Sequence, residues 1–249
     1  ITHIARALGD YITFEFRATD SPFDAFLNGD DTALSNDQLR GMSLFYGKAQ
    51  CSTCHSGPFQ TDHKFHAIGL PQIGPGKSGR FESHARDDGR FRVTGQSEDA
   101  FAFRTPSLRN VTLTAPYGHS GAFSDLEDMV RHHLDPHESL ATYSADKALL
   151  HKTVAKLDDD FEILGNISEM IRIAAATELK PVNLSDAEVK DLMAFLNTLT
   201  DSYREVHNHL AQGANSLCQG QGPIAMDRLE RSGDDAEIPP HLASIKPPL

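Results

Sequence analysis

Cys51-Ser52-Thr53-Cys54-His55 is the stretch on which the reading of this chain turns. Two cysteines separated by two residues and followed directly by histidine form the attachment signature of a c-type haem. That spacing lets one helical turn present both sulfurs to the porphyrin vinyl groups. The next residue then points its imidazole at the iron as proximal ligand. A thioredoxin-like dithiol or half of a zinc site shares the spacing, but the dithiol wants a βαβ surround and the zinc site a second ligand pair. The sequence offers neither, because its one other cysteine, Cys218, is isolated. The expectation is one covalent haem c held by Cys51, Cys54 and His55.

The 249 residues suffice for one large domain or two smaller ones. No apolar run approaches membrane-spanning length. With 35 acidic against 23 basic residues the formal charge is −12, which argues against nucleic acid and for a basic or neutral protein partner. Covalent haem attachment takes place outside the bacterial cytoplasm, so a periplasmic or otherwise exported location follows from the motif. The chain opens at Ile1 inside an amphipathic pattern and reads as a processed or truncated product. Cys218 is either a link to another chain, giving an oligomer, or a buried free thiol.

Helical spacing places a first helix from Ile4 to Phe16, broken at Ser21-Pro22, with Phe23, Phe26 and Leu27 as a short anchor. Ser35 and Gln38 resemble a capping box starting a helix through Leu39, Met42, Leu44 and Phe45. From about His66 to Gln96 glycines recur without a sustained period, which reads as a long loop wrapping the porphyrin edge. Ser124 with Glu127 starts another helix, further patterns cover Ala145–Leu157 and Phe161–Ala176, and Ser185-x-x-Glu188 opens a last one through Leu199. The reading is mainly α: a cytochrome c-like haem domain with long loops and few strands. Residues 1–34 read as an N-terminal helix and linker left from a preceding domain region. Residues 35–200 read as the haem domain, and 201–249 as an extended Pro-rich tail.

An iron held by His55 alone has an open sixth position, and its occupant decides between ligand chemistry and electron transfer. Leu126, Met129 and Val130 define an apolar stripe, and the next position on it is His133. An inward imidazole needs a partner. Iron is one; backbone or a propionate is another, and Met129 is a competing ligand. His132 points off the stripe by about 100°, and His137 follows Pro136, read as a helix breaker.

On these residues the chain resembles the C-terminal haem half of the bacterial di-haem cytochrome c peroxidase and MauG family. The matching segments include Ser21-Pro22-Phe23-Asp24, Gly41–Lys48, Cys51–Pro58, Phe65-His66-x-Ile68-Gly69, Asp88-Gly89-Arg90, Phe103–Val111, Thr114–Gly121 and the closing helix Asp191–Leu199. The position held by methionine in peroxidases and tyrosine in MauG falls on His133, so the resemblance favours His133 as distal ligand. It also implies a partial calcium site from backbone oxygens at Thr114 and Pro116, and a histidine beside the haem at His119. Arg104 and Arg109 either meet a propionate or form surface ion pairs. Family members carry a second C-x-x-C-H in an N-terminal domain and usually a tryptophan between the haems; this sequence has one motif and no Trp.

The implied function is a haem oxidoreductase whose C-terminal electron-transfer haem this chain supplies, with peroxide reduction needing a second haem domain or subunit. The donor would be a small cytochrome c or cupredoxin. The alternatives are a stand-alone electron-transfer cytochrome subunit without peroxidase activity, and a ligand-sensing or structural cytochrome.

Overall fold

Serine, aspartate or asparagine stands at the start of most of the longer helices. The computed structural model describes residues 2–15, 18–74, 85–149 and 158–202, which lie within the compact unit Ile1–Glu205. In chain order the helices are α1 (Thr2–Glu15), α2 (Pro22–Leu27), α3 (Asn36–Tyr46), α4 (Phe91–Thr94), α5 (Leu126–Leu134), α6 (Pro136–Ala141), α7 (Ile167–Ala176) and α8 (Asp186–Asn197). Strands β1 (Phe65–His66) and β2 (Phe103–Arg104) pair antiparallel, with Phe65 opposite Arg104. The fold is mainly helical, and none of the described helices is long and apolar enough to cross a membrane.

The α3–α8 crossing is the centre of the core. Gly41 makes it possible: a Cβ there would sit 1.9 Å from the Asp191 carbonyl oxygen and 2.8 Å from Phe195 Cβ. At this approach Phe195 meets Phe45 and Phe23 with ring centroids 5.1 and 5.3 Å apart. Leu192, Leu196, Leu199, Val111 and Phe123 complete the cluster, each buried apolar side chain contributing about 1.5–3 kcal/mol. Ser21 and Leu34 are buried with them. A smaller cluster of Phe101, Leu140, Ile163 and Ile173 lies under α6 and α7.

The expected box Ser185–Glu188 caps α8, and the Ser35 N–H donates to Gln38 Oε1 at 2.8 Å before α3. Five expectations need correction. Ser21-Pro22 does not merely break the chain: Ser21 caps α2, with Pro22 in its first turn, where the missing N–H has no helical partner to lose. Pro136 likewise opens α6, capped by Asp135, which also ends α5. The start of α5 is one residue later than read, since Asp125 accepts from the Glu127 and Asp128 N–H groups. The pattern Ala145–Leu157 yields only a 3-10 turn at Ala145–Lys147 before Ala148 turns extended, and 150–157 lie outside the described residues. In Phe161–Ala176, helix begins only after Asn166, whose side chain caps α7. The tail from 203, with His207, His209 and Cys218, lies outside the described residues, as do Phe16 and the loop residues 75–84.

Candidate haem site

Gln50 turns the chain through the left-handed region (φ 57°) out of α3 and into the 3-10 turn Cys51–Thr53. The Cys54 and His55 N–H groups both bond back to the Cys51 carbonyl, at 3.3 and 2.9 Å, so both thiols and the imidazole leave one tight turn. Burial pushes Cys51 up to about 11 and raises Cys54 as well. These are protonated thiols at neutral pH. A redox dithiol needs the opposite shift and a βαβ surround, whereas the described strands are a single short antiparallel pair.

Opposite this turn, α5 presents His133. The His55 and His133 ring centroids are 6.3 Å apart, with planes at 62°. His55 Nδ1 lies 3.2 Å from the Gln60 carbonyl oxygen, and His133 Nδ1 lies 2.9 Å from that of Met129. Each Nδ1 therefore carries the proton, and each Nε2 keeps its lone pair for another partner. Burial first, then the neighbouring His133, lowers the His55 pKa to about 4; burial lowers that of His133. Both imidazoles are neutral, as metal ligands must be. With metal–imidazole bonds of about 2.0–2.1 Å, two rings sharing one metal have centroids about 6 Å apart. The donor set and spacing fit an iron porphyrin held between them.

His132, read as pointing away, is in fact fully buried. Its Nε2 donates to the Ile68 carbonyl at 2.9 Å and its Nδ1 lies 3.0 Å from Ser139 Oγ. The docking of α6 widens the buried arc of α5 beyond the stripe that periodicity defines, so His132 pins three segments behind His133.

Arg109 is committed within the protein: its guanidinium bonds Asp24 at 2.9 Å, Ser21 at 3.2 Å and the Pro58 carbonyl at 2.9 Å. It ties the α2 cap to the loop after His55. Arg104 is exposed on β2, 3.5 Å from His63 Nδ1. His119 stacks on Phe103 with centroids 3.8 Å apart and places Nε2 3.1 Å from Asp87, at an open pocket shared with Leu70 and Gln72. Thr114 and Pro116 lie on an exposed turn with a cis Ala115–Pro116 bond, and neither is joined by a cluster of acidic side chains among the described residues.

Nothing in the sequence spacing of His66 gives it a role. It is clamped by Glu178 on Nδ1 (3.0 Å) and Asp62 on Nε2 (2.9 Å), beside Cys54. Burial alone would lower its pKa, but the two carboxylates outweigh burial and raise it. For Asp62, burial is outweighed by bonds from His66 and the Lys64 N–H, which bring it to about 2. The His66 contribution is complete below its ordinary value of 6.5 and fades as pH rises through the raised one. The Asp62 contribution is present above 3.8 and fades as pH falls toward about 2. His66→Gln is accordingly expected to lose about 1 kcal/mol between those bounds and less in alkali. Urea unfolding at pH 5.5 and 9 checks this; an equal loss at both contradicts it.

No protein-family model matches the chain. It is 32% identical over 224 residues to a cytochrome-c peroxidase, IdrP1, of Pseudomonas sp. strain SCT, covering 82% of this chain and 50% of the relative. The chain belongs to the di-haem cytochrome c peroxidase and MauG family. Another member, the methylamine utilization protein MauG of Methylorubrum extorquens, is 33% identical over 182 residues, covering 72% of this chain and 39% of MauG. A crystal structure of a MauG-like protein associated with microbial copper homeostasis superposes with a TM-score of 0.52 at 29% identity, covering 74% of this chain and 49% of that one. The chain thus spans about half the length, or less, of these peroxidase/MauG-family relatives.

Proposed function

We propose that this chain is the electron-transfer half of a di-haem oxidoreductase, corresponding to the C-terminal half of its relatives. It carries one covalent haem c on Cys51 and Cys54, with His55 and His133 as axial ligands. The haem supplies a one-electron iron couple. The chain holds two neutral imidazoles 6.3 Å apart on opposite elements, and this separation is the observation that carries the reading. Two strong nitrogen ligands favour electron transfer over ligand binding and stabilise the ferric state better than a thioether does. Electrons would pass between a small cytochrome c or cupredoxin and a second haem domain, and peroxide reduction would take place at that second haem.

Two further observations support the reading. Ile4, Leu8, Tyr11 and Ile12 on α1 form one apolar stripe, and each is more than half exposed, which suits a helix covered by another domain. The charge of −12 suits a basic donor, with an ionic-strength-dependent rate. Covalent haem c implies an exported protein.

Mass and pyridine haemochrome spectra of the intact protein from its source, with peroxide turnover using a reduced cytochrome c, test this. Two haems and turnover are the expected result. One haem without turnover favours a stand-alone electron-transfer cytochrome, and absence of haem sinks both.

A further inference from the structure

Gln60 is 3% exposed and sits in the left-handed region, at φ 51°, which non-glycine residues rarely adopt. Something must hold it there. Its N–H closes a turn onto the Gly57 carbonyl at 3.0 Å, and the unusual φ turns its own carbonyl toward His55 Nδ1, 3.2 Å away. Its side chain runs the other way: Nε2 donates to Tyr46 Oη at 3.2 Å. Tyr46 is the last residue of α3, and its ring packs on Phe45 and Phe195 (centroids 5.1 and 6.2 Å). It is nevertheless 46% exposed. One residue therefore connects the proximal imidazole to a hydroxyl at the surface.

We propose that the Tyr46–Gln60 contact is a tether that positions the Gln60 carbonyl on His55 and thereby sets the donor strength of the imidazole. Gln60 is then a positioning residue acting through His55. The proposal rests on the reading of His55 as an iron ligand. A well-aimed carbonyl draws the Nδ1 proton and makes Nε2 a stronger donor, as partners behind a ligating histidine do in metal sites. A stronger donor stabilises the ferric state. With the tether cut, Gln60 keeps its place in the loop but its carbonyl is less firmly aimed, so the balance moves toward ferrous iron.

The test uses the full haem-loaded protein and three variants: Tyr46→Phe, Gln60→Leu and the double variant. Phenylalanine keeps the ring packing of Tyr46, and leucine keeps much of the volume of Gln60. Each single variant is expected to shift the ferric–ferrous equilibrium about threefold toward ferrous, about 28 mV at about 59 mV per tenfold change. The double variant is expected to shift it no further, because both substitutions cut the same contact. Potentiometric titration with parallel EPR of the ferric state reads this without any turnover assay. Unchanged potentials, or shifts that add in the double variant, overturn the tether. Should Gln60→Leu fail to fold, Gln60→Gly takes its place beside Tyr46→Phe, since glycine accepts this φ and retains the carbonyl while losing the side-chain contact. A wild-type protein without covalent haem would instead defeat the functional reading beneath.

Discussion

Cys51→Ser combined with Cys54→Ser is expected to abolish covalent haem entirely. After acid–organic extraction, the wild-type chain should keep its haem absorbance and exceed its 27.3 kDa polypeptide mass by one haem, whereas the double variant should be colourless at the polypeptide mass. The effect is all-or-none because both sulfurs leave one turn fixed by two bonds to a single carbonyl, that of Cys51. Among the described residues there is no other cysteine, and Cys218 lies outside them. Either single variant should retain haem through one thioether. Burial of the two thiols works in the same direction, since it keeps them protonated and away from disulfide exchange. A wild-type chain that is colourless and cycles between dithiol and disulfide would reverse the reading of the motif.

What the sequence makes legible, and what it hides, follows from the range of each interaction. The C-x-x-C-H turn, the Ser185–Glu188 box and the apolar stripe of α5 are local, and local chemistry can be read directly. Proline was harder. Pro22 and Pro136 look like breakers in a one-dimensional scan, yet each opens a short helix because a serine or aspartate immediately before it supplies the cap. His132 is buried by α6, the helix that Pro136 opens, so taking that proline for a breaker also hides the burial of the histidine. The Arg109 clamp on Asp24 spans 85 residues and the His66 clamp on Glu178 spans 112; neither leaves a periodic trace. Gln60 is hidden for another reason: its role depends on a positive φ, which glycine advertises in a sequence and glutamine does not.

His133→Met is expected to raise the midpoint potential by a few tenths of a volt, within the roughly 0.8 V range that axial ligands span. His133→Ala is expected to convert the ferric spectrum from low-spin to high-spin. Both follow from what α5 does with its inward face. His133 spends its Nδ1 proton on the Met129 carbonyl of the preceding turn, which fixes the ring relative to its own helix. His132 behind it is anchored to Ile68 and Ser139, so the backbone that carries His133 cannot rotate without breaking buried bonds. The ring is thus preset opposite His55 before any metal arrives, and little ordering cost remains for binding. Methionine at 133 would offer a softer sulfur from the same backbone position and stabilise the ferrous state. Met129 is the side chain to watch in His133→Ala, since it lies one turn earlier on the same face. Low-spin iron with a raised potential in that variant would mark capture by Met129. A bis-imidazole signal that survives His133→Ala would mean that another histidine holds the sixth position and that the 6.3 Å pairing is not the ligand pair.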